Sequence, residues 1–277
     1  MAWGVGAAIA LVAIGLGVGA FGTLVGAGGG FLLTPLLLIL YPHDSPQTIT
    51  AISLVAVFCN ATSGSVAYAR LKRTDYRSGL VFAGAALPGS VVGAIAVAYV
   101  SRSAFDLIMG AVLAVLSIWL WRSPAPPVPG EQHAGAHREI VDRLGAKYTY
   151  DVSLGRGALF SAFVGFISSF LGIGGGVIHV PLLVRVLGFP VHVATATSHF
   201  VLAILAGSAT ITHVIQGSFA HGHGLRRSTA LSVGVVVGAQ LGARASLRTS
   251  GRTIERLLSV ALGILVVRLA LLSLAGV

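Results

Sequence analysis

Long apolar stretches, separated by short polar segments, run along most of the chain. They cover residues of about 3 to 25, 47 to 69, 78 to 100 and 104 to 121 in the first half, and about 155 to 171, 192 to 215, 229 to 247 and 254 to 274 in the second. Most are close to the roughly 20 residues that an α-helix needs to cross a hydrocarbon core of about 30 Å. They lack the period-two alternation of strands in a membrane barrel. The pattern therefore predicts membrane-spanning helices, in which backbone groups bond within their own segment.

A shorter apolar arm follows the first span of each half, over residues 28 to 41 and 174 to 188. Each arm opens with three glycines and contains a proline, Pro35 or Pro181, for which we predict a structural or hinge role. Glycine in a helix interior costs about 1 kcal/mol relative to alanine, so a run of three needs a reason. One reason is a helix break that exposes backbone N–H groups to an anion near the middle of the bilayer. The other is close helix packing through small residues.

The two arms are part of an internal repeat. Residues 26–37 match residues 172–183 with the same glycine-to-proline spacing, and residues 50–53 match residues 195–198. The predicted fold class is all-α, a polytopic membrane helical bundle of two homologous halves with roughly 8 to 10 membrane segments, including the Gly/Pro-broken arms. The predicted domains are a first membrane repeat (1–121), a Pro-rich, charged cytoplasmic linker (122–154) and a second membrane repeat (155–277).

The repeats are inverted if each arm crosses the bilayer, and parallel if the arms are re-entrant. With crossing arms, the basic clusters at 70–77, 122–156 and 244–256 all lie on the cytoplasmic side. With re-entrant arms, the last cluster lies outside. Because cytoplasmic loops carry the excess of Lys and Arg, the charges favour inverted repeats.

Composition agrees with a protein of the lipid bilayer. Hydrophobic residues make up 55% of the chain and charged residues 9%, with a mean hydropathy of +0.91, whereas soluble domains carry roughly 25% charged residues. The net charge of +10 is carried by loops, where it marks cytoplasmic ends rather than a nucleic-acid partner. The single cysteine, Cys59, excludes an intrachain disulfide. We predict a multi-pass protein of the bacterial cytoplasmic (inner) membrane.

Polar side chains cluster on the span that follows each arm. They are Thr50, Ser53, Asn60, Thr62 and Ser63 in the first half, and Thr195, Thr197, Ser198, His199 and Ser208 in the second. A single Ser or Thr in a helix usually bonds a carbonyl one turn back. Clustering at equivalent places beside both glycine runs favours a polar cavity instead, and hydroxyl donors suit an oxyanion.

Histidine is the ionisable residue that recurs inside the spans, at positions 179, 199 and 213. Ionisable groups in a bilayer are costly and functional by default, and histidine changes protonation near neutral pH. No histidine matches them in the first half, so both proton coupling and neutral packing stay open. Asp and Glu lie in loops or at span ends, which favours an anion over a cation as cargo. His221 and His223 are too few ligands for a metal, and we predict neither a metal nor a cofactor.

The paired motif Gly-x-Gly-Gly-Gly-x-x-x-x-Pro-x-Leu, followed in each half by a Thr-Ala-x-Ser segment, resembles the sulfite exporter TauE/SafE family over nearly the whole chain. The resemblance implies transport of small sulfur-containing or organic anions, such as sulfite, thiosulfate or sulfoacetate, across the cytoplasmic membrane. The residues to which the resemblance extends are the matching motif positions, Gly28, Gly29, Gly30, Pro35, Ser53, Gly174, Gly175, Gly176, Pro181, Thr197 and Ser198.

The sequence thus predicts a secondary transporter that moves a small anion by alternating access, and not an enzyme. The predicted substrate-binding residues are Gly28, Gly29, Gly30, Ser53, Asn60, Gly174, Gly175, Gly176, Thr197, Ser198 and His199. A channel-like anion facilitator is one alternative. A membrane-embedded hydrolase is another, with Ser53 or Ser198 as nucleophile and His199 as base. The expected partners are the anion, the lipid bilayer and a second copy of the chain in a homodimer.

Overall fold

The protein is built almost entirely of α-helices in a computed structural model that describes residues 4–122, 135–219 and 223–274. The first half contains α1 (Val5–Val25), α2 (Gly30–Leu40), α3 (Pro46–Arg70), α4 (Tyr76–Ala96) and α5 (Arg102–Arg122). The second half contains α6 (Leu154–Leu171), α7 (Gly176–Arg185), α8 (Val191–Ile215), α9 (Gly224–Ala245) and α10 (Gly251–Leu274). Each predicted span is a helix, and each predicted arm contains a short helix, so the helical fold class is confirmed.

Six helices in the described part of the chain are long and apolar enough to cross a membrane. They are α1, α3, α4 with the 3-10 turn Val97–Tyr99 that extends it, α5, α6 and α8. Helices α9 and α10 have similar lengths but carry charged residues near their ends, such as Arg226, Arg244 and Arg252. Helices α2 and α7 are apolar but short. This is a multi-pass membrane protein, as the sequence predicts.

The helices of the two halves pack in matching pairs. The first helix of each half lies against the fourth helix of the other, so that α1 packs on α9 and α6 packs on α4. The third helices, α3 and α8, pack against each other, and so do the fifth helices, α5 and α10. This exchange of partners shows that an approximate two-fold axis relates the two halves.

The halves are inverted, as the charge pattern predicts. Along the contact between α3 and α8, Gly207 lies beside Phe58 and His199 lies beside Gly64, so the two helices run in opposite directions. Because α3 and α8 are equivalent helices, a two-fold axis that reverses their direction reverses the whole half. Helices α4 and α6 run in the same direction, with Gly93 against Phe166.

Glycines bring the exchanged helices into backbone contact. A Cβ atom added to Gly234, Gly238 or Gly242 of α9 would lie 2.1 to 2.3 Å from a carbonyl oxygen of α1. A Cβ atom on Gly89 or Gly93 of α4 would lie 2.4 or 2.3 Å from a carbonyl oxygen of α6. Small residues allow this approach in a bilayer, so the packing explanation is correct for these glycines outside the arms.

Positive charge is concentrated at one end of the bundle. The end that faces the linker carries Arg70, Lys72, Arg73, Arg77, Arg122, Arg138, Arg143, Lys147, Arg156, Arg185, Arg244, Arg248, Arg252 and Arg256. The opposite end carries Arg102, Arg226 and Arg227. By the positive-inside rule we predict that the linker end, called the cytoplasmic end below, lies in the cytoplasm.

A β-hairpin occupies the second part of the linker, where the sequence indicates only a solvated connection. The predicted Pro-rich first part, residues 123–134, lies outside the described residues. Strands β1 (Ala136–Val141) and β2 (Lys147–Val152) pair in antiparallel register. At the turn, the Asp142 carboxylate accepts hydrogen bonds from Arg73 and from the backbone amides of Leu144 and Ala146. Burial raises the pKa of Asp142, but these donors outweigh it and hold the pKa below its ordinary value.

The hairpin joins the cytoplasmic ends of both halves. The Tyr150 hydroxyl donates to Asp75 Oδ2 at 2.9 Å, and Arg138 forms an ion pair with the same carboxylate at 3.6 Å. Asp75 caps α4 in the first half. The centroid of the Tyr150 ring also lies 4.6 Å from that of the Phe189 ring, between α7 and α8 of the second half. Burial raises the pKa of Tyr150, and the Asp75 carboxylate raises it further.

Candidate functional site

The first glycine run breaks the chain between α1 and α2. Gly26, Gly28 and Gly29 have φ values of 80°, 72° and 81°, in the left-handed region that other L-residues rarely adopt. Gly26 ends α1, and Gly29 is the N-cap of α2. The three glycines are thus required by a sharp reversal of the chain, as the helix-break interpretation predicts.

The second run repeats this geometry between α6 and α7. Gly172, Gly174 and Gly175 have φ values of 68°, 75° and 70°, and Gly175 is the N-cap of α7. Both breaks are buried. The first backbone N–H groups of a helix have no acceptor within it, and they lie at the positive end of its dipole. The two arms therefore place two such donor sets inside the bundle.

The two breaks touch each other. A Cβ atom on Gly30 would lie 2.6 Å from the carbonyl oxygen of Ile173, and one on Gly176 would lie 2.5 Å from that of Gly26. The structure thus brings the run Gly28, Gly29 and Gly30 together with the run Gly174, Gly175 and Gly176, although equivalent glycines are 146 residues apart in sequence. Pro35 and Pro181 lie within α2 and α7, which continue past them to Leu40 and Arg185. Their hinge role stays a prediction.

Two of the predicted serines bind the break of the opposite half. Ser53 Oγ of α3 donates to the carbonyl oxygen of Gly172 at 2.7 Å, and Thr34 Oγ1 lies 2.8 Å from the same oxygen. Ser198 Oγ of α8 donates to the carbonyl oxygen of Gly26 at 3.2 Å. Both serines therefore lie at the paired breaks, with their hydroxyls bonded to backbone carbonyls.

Two other predicted polar residues, Thr50 and Thr195, pack against the breaks of the opposite half, whereas Thr197 bonds elsewhere. Thr197 Oγ1 accepts a hydrogen bond from the backbone amide of Asp75 at the cytoplasmic end. Thr50 and Thr195 donate to carbonyl oxygens one turn back in their own helices, at 3.0 and 2.8 Å. Thr197 thus links α8 to the loop before α4 instead of facing the glycine runs.

Asn60 and His199 belong to a buried network beside the first break. Asn60 Nδ2 donates to the carbonyl oxygen of Gly28 at 3.1 Å, and Thr23 Oγ1 donates to Asn60 Oδ1 at 3.2 Å. His199 Nε2 lies 3.3 Å from Thr23 Oγ1, and the Tyr68 hydroxyl donates to the Thr23 carbonyl at 2.8 Å. Sequence reasoning missed Thr23 and Tyr68. The position of Thr23, one turn before the first glycine run, was the available signal.

Two apolar side chains fill the space between the breaks. A Cβ atom on Gly28 would lie 2.5 Å from Leu202 Cδ2, and one on Gly174 would lie 2.5 Å from Val57 Cγ1. Val57 follows Ser53 by the same four residues by which Leu202 follows Ser198. Both side chains are fully buried. The centre of the bundle is therefore closed in this conformation.

The geometry does not assemble the nucleophile and base of a hydrolase. Ser198 bonds to the first glycine run, whereas the neighbouring His199 ring bonds to Thr23 and to the Thr195 carbonyl of its own helix. Among the described residues, no three His, Cys, Asp or Glu side chains are grouped to hold a metal ion. His221 lies outside the described residues.

Comparison with known proteins agrees with this architecture. The family model for the sulfite exporter TauE/SafE matches residues 11–269. The chain is 32% identical over 216 residues to "Probable membrane transporter protein YunE" of Bacillus subtilis, covering 76% of this chain and 79% of the relative. It is 31% identical over 190 residues to a "Probable membrane transporter protein" of Xylella fastidiosa, covering 68% of this chain and 67% of the relative.

A more distant relative comes from an archaeon. The chain is 24% identical over 209 residues to "Probable membrane transporter protein MJ0441" of Methanocaldococcus jannaschii, with 74% of this chain and 71% of the relative covered. No solved structure matches the chain. The family model spans both halves and both glycine runs. The chain therefore belongs to the sulfite exporter TauE/SafE family of membrane transporters.

Proposed function

We propose that this transporter carries a small sulfur oxyanion or organosulfonate, such as sulfite, thiosulfate or sulfoacetate. The observation that carries the proposal is the contact between two buried helix N-termini, one from each inverted half. Paired, broken segments at the interface of inverted repeats are where secondary transporters bind their cargo. The family supplies the chemical class of the anion.

The proposed binding groups are the backbone amides of the two glycine runs. Each helix N-terminus carries roughly half a positive charge and N–H groups that have no acceptor within the helix. The amides of Gly28 and Gly176 already donate to nearby carbonyl oxygens, so the other glycine amides of the two runs are the proposed donors. Two helix N-termini that face one space stabilise an anion without a buried, permanently charged side chain. Ser53 and Ser198 contribute their hydroxyls when they exchange the carbonyls of Gly172 and Gly26 for the substrate.

The closed centre supports alternating access as the transport mechanism. Val57 and Leu202 occupy the space between the breaks, so the anion enters only when α3 and α8 separate. These two helices are equivalent and antiparallel, and a tilt of one half against the other opens the space to one side of the membrane. The inverted relation makes the opposite tilt open it to the other side.

The test is uptake of radiolabelled sulfite, thiosulfate and sulfoacetate into liposomes that contain the purified protein, with and without trapped unlabelled anion. We expect saturable uptake that accelerates with trapped anion. The double variant Ser53→Ala/Ser198→Ala should lose roughly thirtyfold in uptake, if each hydroxyl contributes about 1 kcal/mol. Ser259→Ala is the matched control, because that hydroxyl donates to the Glu255 carbonyl of its own helix.

Each contrary outcome has a separate meaning. Uptake that neither saturates nor responds to trapped anion would favour a channel-like facilitator. If none of the three tracers enters the liposomes, the proposed substrate class is refuted. Unchanged uptake in the double variant, with a normal Ser259→Ala control, would remove the two serines from the site.

A further inference from the structure

The imidazole of His199 faces a hydrogen-bond acceptor at each ring nitrogen. Nδ1 lies 3.3 Å from the backbone carbonyl oxygen of Thr195, which can only accept. Nε2 lies 3.3 Å from Thr23 Oγ1. A hydroxyl both donates and accepts, so the role of Thr23 depends on its other neighbour.

Asn60 fixes that role. Its amide nitrogen must point to the carbonyl oxygen of Gly28, because the reverse orientation would set two oxygen atoms against each other at 3.1 Å. Asn60 Oδ1 then faces Thr23 Oγ1 at 3.2 Å, and Thr23 must use its single hydrogen there. The Thr23 oxygen is left as an acceptor for His199. Both contacts of His199 are hydrogen bonds only when both ring nitrogens carry a proton, that is, when the ring is an imidazolium cation.

The other two intramembrane histidines have different surroundings. His179 Nε2 lies 3.2 Å from Ser161 Oγ, and its Nδ1 has no hydrogen-bond partner. His213 Nδ1 lies 3.1 Å from Ser218 Oγ, and its Nε2 has no partner. A neutral ring satisfies one hydroxyl contact, so neither of these sites calls for a second proton. His199 alone among the three faces two acceptors.

We propose that His199 is the proton-binding site of the carrier, and that one proton moves with each anion. This inference rests on the proposed function. The network runs from His199 through Thr23 and Asn60 to the carbonyl of Gly28, in the run of glycines proposed to bind the anion. A proton on His199 sets a positive charge beside that run, so proton and anion each strengthen the binding of the other.

The groups around the ring leave this charge without a local counter-ion. Tyr68 of α3 is the titratable side chain that faces the ring, edge-on with centroids 5.5 Å apart. Helix α1 contributes Thr23, and Gly64 of α3 lies against the ring. The charged groups at the nearby cytoplasmic loop, Arg73 and Asp75, bond to the hairpin. The incoming anion is thus the charge that compensates the imidazolium.

The experiment measures proton uptake when thiosulfate binds. Purified protein in lightly buffered detergent is mixed with thiosulfate, and a soluble pH-sensitive dye reports the protons taken up. Without the anion the imidazolium lacks a counter-ion. At a pH where the ring is therefore neutral in the anion-free protein, we expect about one proton taken up per bound anion for the wild type. His199→Gln, which keeps hydrogen-bonding groups but cannot become a cation, should take up none. His179→Gln and His213→Gln are matched controls that should retain the uptake.

Transport in liposomes gives the second readout. Uptake is measured once with an imposed pH gradient and once with trapped anion. The ratio of the first uptake to the second should fall about tenfold or more in His199→Gln. It should stay at the wild-type value in the two controls. Proton uptake that persists in His199→Gln, or an unchanged ratio, would overturn the proposal.

A third measurement separates this proposal from the proposed function. If sulfite, thiosulfate and sulfoacetate all fail to bind, the substrate proposal is refuted, and ¹⁵N-histidine NMR of the ligand-free protein then decides the proton site. A resonance that titrates between about pH 5 and 8 and vanishes in His199→Gln supports it. A wild-type spectrum with no such resonance overturns it.

Discussion

The two glycine breaks have nearly the same backbone but different polar neighbours. Beside the first break, Thr23 bonds to Asn60 and contacts His199. Beside the second, Ser169 takes the place of Thr23 and bonds to Ser90 at 2.7 Å. Ser169 precedes Gly172 by three residues, as Thr23 precedes Gly26. Ser90 also contacts Ser208 at 3.0 Å. One break is thus lined by an amide and an imidazole, and the other by hydroxyls alone.

This difference separates two requirements of a carrier with inverted halves. The backbone must be symmetric, because each half has to take the conformation of the other when the site opens to the opposite side. The side chains that bind a coupling ion need to occur only once. The breaks meet the first requirement, and the proposed proton site at His199 would meet the second.

The contact between the arms is the symmetric feature whose disruption should have the largest effect. Gly30→Val and Gly176→Val each place side-chain atoms where even a Cβ would lie 2.5 to 2.6 Å from backbone of the opposite break. We expect each change to cost about 4 kcal/mol or more, the range of severe core substitutions. Thermal unfolding and size-exclusion chromatography in detergent measure the loss.

Gly17→Val on α1 is the control, because a Cβ there has no neighbour within 4 Å. The two arm variants should be affected about equally, since the contacts are equivalent. A Gly30→Val protein that folds and transports like the wild type would contradict the close contact of the arms.

The hairpin is a second asymmetric feature, because it docks on the loop between α3 and α4. Its attachment can be tested by substitution. Asp142→Ala leaves Arg73 buried without its partner, and their side chains are only 1% and 5% exposed. Removal of one member of a buried ion pair costs roughly 3 to 5 kcal/mol. We expect earlier cleavage of the hairpin in limited proteolysis. Glu139→Ala is the control, because its ion pair with Lys147 is exposed and contributes about 0 to 1 kcal/mol.

The same ion pair predicts a pH dependence. The pKa of Asp142 is below its ordinary value in the folded protein, so its contribution is present above the unfolded pKa of about 3.9 and is lost as the pH falls through the folded pKa. Hydrogen exchange of the hairpin amides should therefore keep its protection at neutral pH and lose it in acid. Equal acid sensitivity in Asp142→Asn would disprove the assignment to this carboxylate.

The asymmetry at the breaks can be reduced by one substitution. Leu205 follows Ser198 by seven residues, as Asn60 follows Ser53. Asn60→Leu therefore gives the first half the residue of the second. It leaves the Gly28 carbonyl and the Thr23 hydroxyl without their partner, at a cost of about 1 to 3 kcal/mol. Thermal unfolding should show this loss, and the proton uptake assigned to His199 should fall with it.

Ser63→Ala is a suitable comparison, since Ser63 lies on the same helix but donates to the Val236 carbonyl at a half-exposed position. Its effect should be smaller than that of Asn60→Leu. If the two variants lose stability equally and Asn60→Leu keeps full proton uptake, the network does not position His199.

The membrane helices and their repeat can be predicted from the sequence alone, and its charge pattern favours the inversion of the halves. A bilayer has no water to satisfy backbone groups, so apolar length predicts each span locally. The glycine runs also predicted their own geometry, because three positive φ values within four residues exclude most other residue types. The basic clusters predicted the orientation, since the positive-inside rule acts on loops.

Which groups meet at the breaks depends on how distant helices pack. Ser53 bonds to Gly172, which is 119 residues away, and no local pattern specifies that carbonyl. Thr197 shares a motif with Ser198, yet it turns to the cytoplasmic loop, because neighbouring residues on a helix point in different directions. The hairpin of the linker depends on the buried pair of Asp142 with Arg73 of another loop. The bilayer sets the spans locally, whereas the site forms where distant helices pack.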